Sequence, residues 1–139
     1  MPELQDNYVQ TLFKYLQSGN NHLRQKVCKA IAQIIAHQYD PDRRAALTRQ
    51  LNEELGESRA FQLRRTFVIF CRCCAGVIPK DYFLDNFYDV MKTMHTDRVA
   101  QVRMELAKSL TDIKPFIETD QQRDFELMEI IDRLKNDPD

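Results

Sequence analysis

Glycine is scarce in this chain, with three isolated copies among 139 residues. That excludes the Gly-rich loops that cradle nucleotide phosphates, which need several glycines together so that the backbone can approach the anion. Long apolar runs are missing as well. The longest, Phe67-Val68-Ile69-Phe70-Cys71, stops at Arg72, far short of the roughly 20 residues that span a bilayer, so no membrane partner is expected. Nor is there an excess of one charge: the formal net charge is -1. Nonspecific nucleic-acid binding needs a strongly basic surface, and no continuous basic stripe is evident along any one ridge, so nucleic acid is not an expected partner. The last residues, 120–139, hold seven acidic and three basic side chains, an asymmetry that a solvated helix face explains. The start, Met1-Pro2-Glu3-Leu4-Gln5-Asp6, has neither the basic opening nor the apolar core of a signal peptide. A cytoplasmic location with reduced cysteines is the expectation.

The residue types that carry chemistry form no reactive constellation. Cys71 and Cys74 have C-x-x-C spacing, with Cys73 between them, but Cys28 is the one further cysteine and lies 43 residues before Cys71. A structural zinc site wants four ligands, usually as two such pairs. Free cysteine also packs as a small apolar group, so Cys71 and Cys74 fit a helix core, with metal or redox chemistry as the alternative. His22, His37 and His95 are scattered over helix ends and turns, and the carboxylates single out no acid/base pair. No catalytic residue, cofactor or metal ligand is assigned, and an enzyme is not expected.

What the sequence does contain is a repeat. The pairs Leu23-Arg24, Leu63-Arg64 and Val102-Arg103 recur at steps of 40 and 39 residues. Behind each pair the same positions stay apolar: Val27, Phe67 and Leu106, then Ile31, Cys71 and Leu110, then Ile34, Cys74 and Ile113. Offsets of four, eight and eleven residues trace one face of an α-helix. Hydrophobic residues make up 43% of the chain and charged ones 29%, enough for a core and a soluble surface. A helix-dense repeat near 40 residues signals an α-solenoid.

Periodicity and punctuation divide the chain into approximate repeats over residues 5–38, 41–75 and 80–114, with a half repeat over 120–135, about seven helices in all. Val9, Leu12, Phe13 and Leu16 form the stripe of the first helix, which Gly19 closes. Asp40-Pro41 reads as a helix start, with Asp as cap and Pro at the first helical position. Leu47, Leu51 and Leu55 follow, and Gly56 ends that helix. The next runs from about Ser58 to Ala75, with Phe61, Leu63, Phe67, Phe70, Cys71 and Cys74 inside, and Gly76 ends it. Phe83, Phe87, Val90, Met91 and Met94 mark one further helix from about Lys80 to Met94. Pro115 is expected to stop the following helix at Lys114. Thr119 and Gln122 read as a capping box opening a last helix with Phe125, Leu127, Ile130, Ile131 and Leu134. Its apolar face has no second helix to cover it, which suggests a fragment or short isoform of a longer solenoid.

The third unit, with Asp97, Val102-Arg103, Ala107, Leu110 and Ile113, resembles the second helix of a HEAT repeat in the scaffold and regulatory subunits of the type 2A group of protein phosphatases, most nearly the protein phosphatase 4 branch. The first two units have Ser18 and Ser58 where that motif has Asp. The resemblance implies an all-α, right-handed HEAT/ARM-like superhelix of antiparallel helix pairs. It also implies a structural ladder of Arg24, Arg64, Asp97 and Arg103 between repeats, with Ser18 and Ser58 offering only weaker neutral hydrogen bonds. The turns inside each hairpin would then line one ridge that meets a catalytic subunit, here through Asn20, Asn21, His22, Ser58, Arg59, Thr96 and Arg98. The function implied is a non-catalytic scaffold or regulatory subunit that positions a protein phosphatase 4-like catalytic subunit. The alternative is a HEAT-repeat adaptor for transport, cytoskeletal or nucleic-acid complexes.

Overall fold

Core formation begins with the repeat positions themselves. Val27, Ile31, Phe67, Cys71, Cys74, Val102, Leu106, Leu110 and Ile113 are all buried, while Leu23, Leu63 and Ile34 are half-buried against them. The computed structural model describes residues 2–18, 20–117 and 121–138, and within them the fold is all-α. Helices α1 (Pro2–Ser18), α2 (Asn21–His37), α3 (Pro41–Leu51), α4 (Phe61–Cys74), α5 (Lys80–Asn86), α6 (Tyr88–Thr93), α7 (Ala100–Ile117) and α8 (Gln121–Lys135) follow in order. The closing of α1 at Gly19 and the capping box opened by Thr119 fall outside the described residues.

Helices α2, α4 and α7 pack in succession, α2 on α4 and α4 on α7, with α1 against α2 at one end and α8 against α7 at the other. Side-chain bonds join the remaining helices into a second row. Gln10 of α1 and Gln50 of α3 exchange amide hydrogen bonds, Thr48 of α3 bonds the Tyr82 hydroxyl of α5, and Lys92 of α6 reaches Glu126 of α8 at 2.8 Å. The apolar stripe of each helix faces the space between the rows. Each fully buried Leu, Ile or Phe there contributes about 1.5–3 kcal/mol.

Local chemistry explains the helix starts. The Asp40 carboxylate accepts from Asp42 N and Arg43 N, with Pro41 at the first helical position. Asn20 caps α2 by accepting from Leu23 N at 2.8 Å, one of the donors a helix start leaves open.

Four expectations are corrected. The helix expected from Lys80 to Met94 is two helices, so eight α-helices occur among the described residues rather than seven. It breaks at Phe87, whose ring enters an aromatic cluster with Phe67, Phe70, Tyr82 and Phe83 at centroid distances of 5.2–6.3 Å. Asn52 Nδ2 meanwhile donates to the Asn86 carbonyl at 2.9 Å, drawing that group away from a regular ladder. Pro115 does not end α7, which continues to Ile117. Proline leaves the Thr111 carbonyl without its helical donor, but Thr111 is exposed to water, and Phe116 is held by an edge contact with Phe83 at 5.7 Å. Helix α4 starts at Phe61 rather than Ser58, because residues 58–60 form the turn before it. Phe125 is not inside: it is 69% exposed, whereas Leu127 and Ile130 are buried.

Gly56 ends its helix for a reason other than backbone freedom. Residues Asn52–Gly56 form a π-helical turn, and among the described residues Gly76 alone takes a positive φ, at 78°. A Cβ on Gly56 would meet Val90 Cγ1 at 2.7 Å, with the Phe67 ring 3.5 Å away. Glycine here allows α6 to approach the turn, and Val90, being β-branched, has little rotamer freedom to give way. Gly56→Ala is expected to destabilise the fold by about 1–3 kcal/mol through overpacking. Urea denaturation checks this, and Val90→Ala in the same chain should recover part of the loss.

Candidate functional site

The turns that precede α4 and α7 and the turn that follows α8 are tied together by guanidinium groups. Arg64 Nε donates to Asp97 Oδ2 at 2.7 Å and its Nη2 to Oδ1 at 3.1 Å, a bidentate pair. Its Nη1 donates to the carbonyls of Ser58 and Arg59 at 2.9 and 3.1 Å. Arg103 repeats the arrangement one unit on: Nε reaches Asp137 Oδ2 at 2.6 Å, and Nη1 donates to the Asp97 carbonyl at 2.6 Å. Each arginine thus binds the turn before its own helix and the carboxylate of the following turn. The Arg64 and Asp97 side chains are only 12% and 9% exposed, so this pair is not a solvated surface bridge of the kind that contributes about 0–1 kcal/mol.

The third arginine has no such carboxylate. Ser58 stands 34 residues after Arg24, as Asp137 does after Arg103. Arg24 Nη1 donates to Asn21 Oδ1 at 3.2 Å, whereas its buried Nε meets no acceptor. Ser58 Oγ accepts from Ala60 N, just as Asp97 Oδ1 accepts from Val99 N. The turn geometry is retained while the ion pair is absent. Asp137 was not singled out from sequence as a ladder residue. Its signal is the step of 40 residues from Asp97, equal to the Leu23 to Leu63 step.

Burial pushes the Asp97 carboxyl up, but the Arg64 hydrogen bond, the Val99 N–H and the charges of Arg64 and Arg98 outweigh it and hold the group below the usual carboxylate value.

The expected ridge residues fall into two groups. Asn20, Asn21, Ser58 and Thr96 spend their side chains locally, Thr96 Oγ1 donating to the Thr93 carbonyl at 3.1 Å. His22, Arg59 and Arg98 are exposed, and His22 and Arg59 make no side-chain hydrogen bond or ion pair among the described residues. These three are the ridge groups available to a partner. Next to them, His95 Nδ1 donates to the Lys92 carbonyl at 2.6 Å, so Nε2 accepts from Arg133 Nη1 at 3.3 Å.

Cys28, Cys71 and Cys74 are buried and Cys73 is half-buried. Burial raises all four thiols, which disfavours the thiolate that metal binding and redox attack require. At Cys73 the charges of Arg72 and Lys29 pull the other way without cancelling that effect. No cluster of three or more metal-ligating side chains occurs among the described residues. Glu105, 6% exposed, lies between Arg65 Nε at 3.5 Å and Arg72 Nη2 at 3.8 Å, joining α7 to α4. None of the described helices is long and apolar enough to cross a membrane. Comparison with family models, curated proteins and solved structures finds no match to the chain.

Two predictions follow from the rungs. Asp97 has a depressed folded value, so its contribution is complete above the unfolded value near pH 4 and is lost as pH falls through the lower folded one. Asp97→Asn should therefore cost about 1.5–3 kcal/mol at neutral pH and flatten the acid limb of stability, measured as urea midpoints from neutral pH downward. Ser58→Asp should give Arg24 the missing acceptor and raise stability by about 1 kcal/mol, read as a higher melting temperature. Arg24→Met in the same chain should abolish that gain.

Proposed function

We propose that the chain is a HEAT-type α-solenoid, in right-handed superhelical form, and acts as a non-catalytic scaffold or regulatory subunit for a Ser/Thr protein phosphatase of the type 2A group, with a protein phosphatase 4-like catalytic subunit as partner. The observation that carries this reading is the recurrence of one bonding pattern, arginine to the next turn's carboxylate, at Arg64–Asp97 and Arg103–Asp137. A pattern that returns with the sequence period is what a stack of equivalent repeats requires, since each repeat contacts chiefly its neighbours.

In this reading the chain works by positioning. The rungs fix one turn relative to the next, and the exposed His22, Arg59 and Arg98 present a row of polar contacts at spacings set by the helices beneath them. Loops carried on a rigid scaffold are where binding residues concentrate. The partner supplies the catalytic centre, and the stack determines where that centre is held.

Binding of the purified chain to a purified protein phosphatase 4 catalytic subunit, by biolayer interferometry, tests the proposal. Association is expected, with at least about a tenfold loss when His22, Arg59 and Arg98 are all changed to Ala. Asn20 is kept, because its cap on α2 contributes about 1 kcal/mol to folding and its removal would confuse the result. Absence of association by the native chain, or association indifferent to the triple change, would overturn the assignment.

A further inference from the structure

A net charge close to zero conceals an uneven distribution of charge among the helices. Helix α2 carries Arg24, Lys26 and Lys29 and no acidic residue, and α4 carries Arg64, Arg65 and Arg72 and none. Acids are found instead on other helices, as Asp81, Asp85 and Asp89 on α5 and α6 and Glu126, Glu129 and Asp132 on α8, whereas α3 carries Arg43, Arg44 and Arg49 against Asp42. Arg24 and Arg64 are held in the turns, whereas the remaining basic groups of α2 and α4 lie on their outward faces.

Those groups are contiguous. Lys26 and Lys29 are one turn apart on the exposed side of α2. The charges of Lys29 and Arg72 both bear on the Cys73 thiol, Arg72 and Arg65 flank Glu105, and Arg65 shares a shallow groove with Lys108, Gln101 and Met104 of α7. The strip therefore crosses three helices through Lys26, Lys29, Arg72, Arg65 and Lys108. Glu105 lies inside it with an oxygen toward each arginine, so two guanidiniums outweigh one carboxylate. Asp112 is the other acid of α7, one turn past Lys108. Lys26, Lys29 and Lys108 are exposed and make no hydrogen bond or ion pair among the described residues. Such a strip is invisible along the chain, because residues from three separated segments compose it.

We propose that this strip is the docking surface for an acidic segment of a partner polypeptide, which lies across α2, α4 and α7 with an apolar side chain resting on Met104. Met104 is 51% exposed, and methionine adapts its shape to what it meets. One feature favours a polypeptide over a nucleic acid. The exposed aromatic side chains Tyr8, Tyr15, Tyr39 and Phe125 all lie off these three helices, so the strip has no platform on which bases stack. The proposal does not depend on the phosphatase assignment.

The test uses the full chain and a fluorescein-labelled peptide of repeated Glu-Leu-Glu-Glu units, with its Gln-Leu-Gln-Gln counterpart, a single-stranded RNA and a DNA duplex as further probes, all by fluorescence anisotropy. The acidic peptide is expected to bind, the glutamine peptide is not, and added salt should weaken the complex. Changing Lys26, Lys29 and Lys108 together to Glu should cost at least about tenfold in affinity. Arg65 and Arg72 are left in place because they neutralise Glu105, and circular dichroism melting confirms that the variant folds. A control reverses three exposed charges elsewhere, Arg49, Arg133 and Lys135. Equal losses in both variants would show an effect of net charge alone and overturn the proposal, as would peptide binding that the first variant leaves unchanged. Tight binding of either nucleic acid without the peptide would overturn it in favour of a nucleic-acid adaptor.

Discussion

Asp97 is bound from two sides. Its carboxylate receives Arg64 from the helix before it, and its carbonyl receives Arg103 from the helix after it. Two junctions therefore share one residue, and neither can rotate without disturbing the other. The bonds on Arg64 reach back to the Ser58 turn and those on Arg103 forward to Asp137, so a single connected set of charge-assisted hydrogen bonds runs from residue 58 to residue 137. Apolar packing between helices is non-directional and tolerates a range of crossing angles. The directional bonds on Asp97 select one arrangement from that range, and the core, the rows and the outward faces of α4 and α7 are oriented accordingly.

The helical class and much of the core were legible because both rest on periodicity. Val27, Ile31, Phe67, Leu106 and their equivalents face inward for the same reason that they repeat. What was not legible depends on contacts between distant segments. The break at Phe87 arises because an aromatic cluster draws one ring out of register and Asn52 takes the Asn86 carbonyl, and neither partner is near it in sequence. Helix α7 runs through Pro115 because Phe83 holds Phe116, a tertiary contact overriding a local preference. Gly56 does end its helix, but what it spares is Val90 of α6, a contact that the sequence does not display. Of the groups weighed for binding, Asn20 and Ser58 prove to be occupied by their own turns. An isolated polar residue in a turn does not reveal whether it serves the backbone or a partner.

Helices α2 and α4 carry basic residues and no acid, whereas on α5, α6 and α8 together acids outnumber bases. Buried Glu105 illustrates the consequence: it lies beside α4 and is compensated by Arg65 and Arg72, both from that neighbouring helix. Lys92 shows the converse beside α8, where its hydrogen bond to Glu126 keeps the ammonium protonated to higher pH than usual despite partial desolvation. In both cases a charge of the locally rarer sign is paired across helices.

The vacant Nε of Arg24 bears on how the molecule deforms. Junctions in series yield under load in proportion to their compliance, and the junction between α2 and α4 relies on packing and the weak thiol hydrogen bond from Cys28 Sγ to the Thr66 carbonyl at 3.9 Å, where the next two have charged ties. Bending strain applied to the whole chain is therefore concentrated at that first junction. Of the spans along the turns, the one between His22 and Arg59 is therefore the more compliant, and the one between Arg59 and Arg98, braced by the Arg64–Asp97 pair, the stiffer.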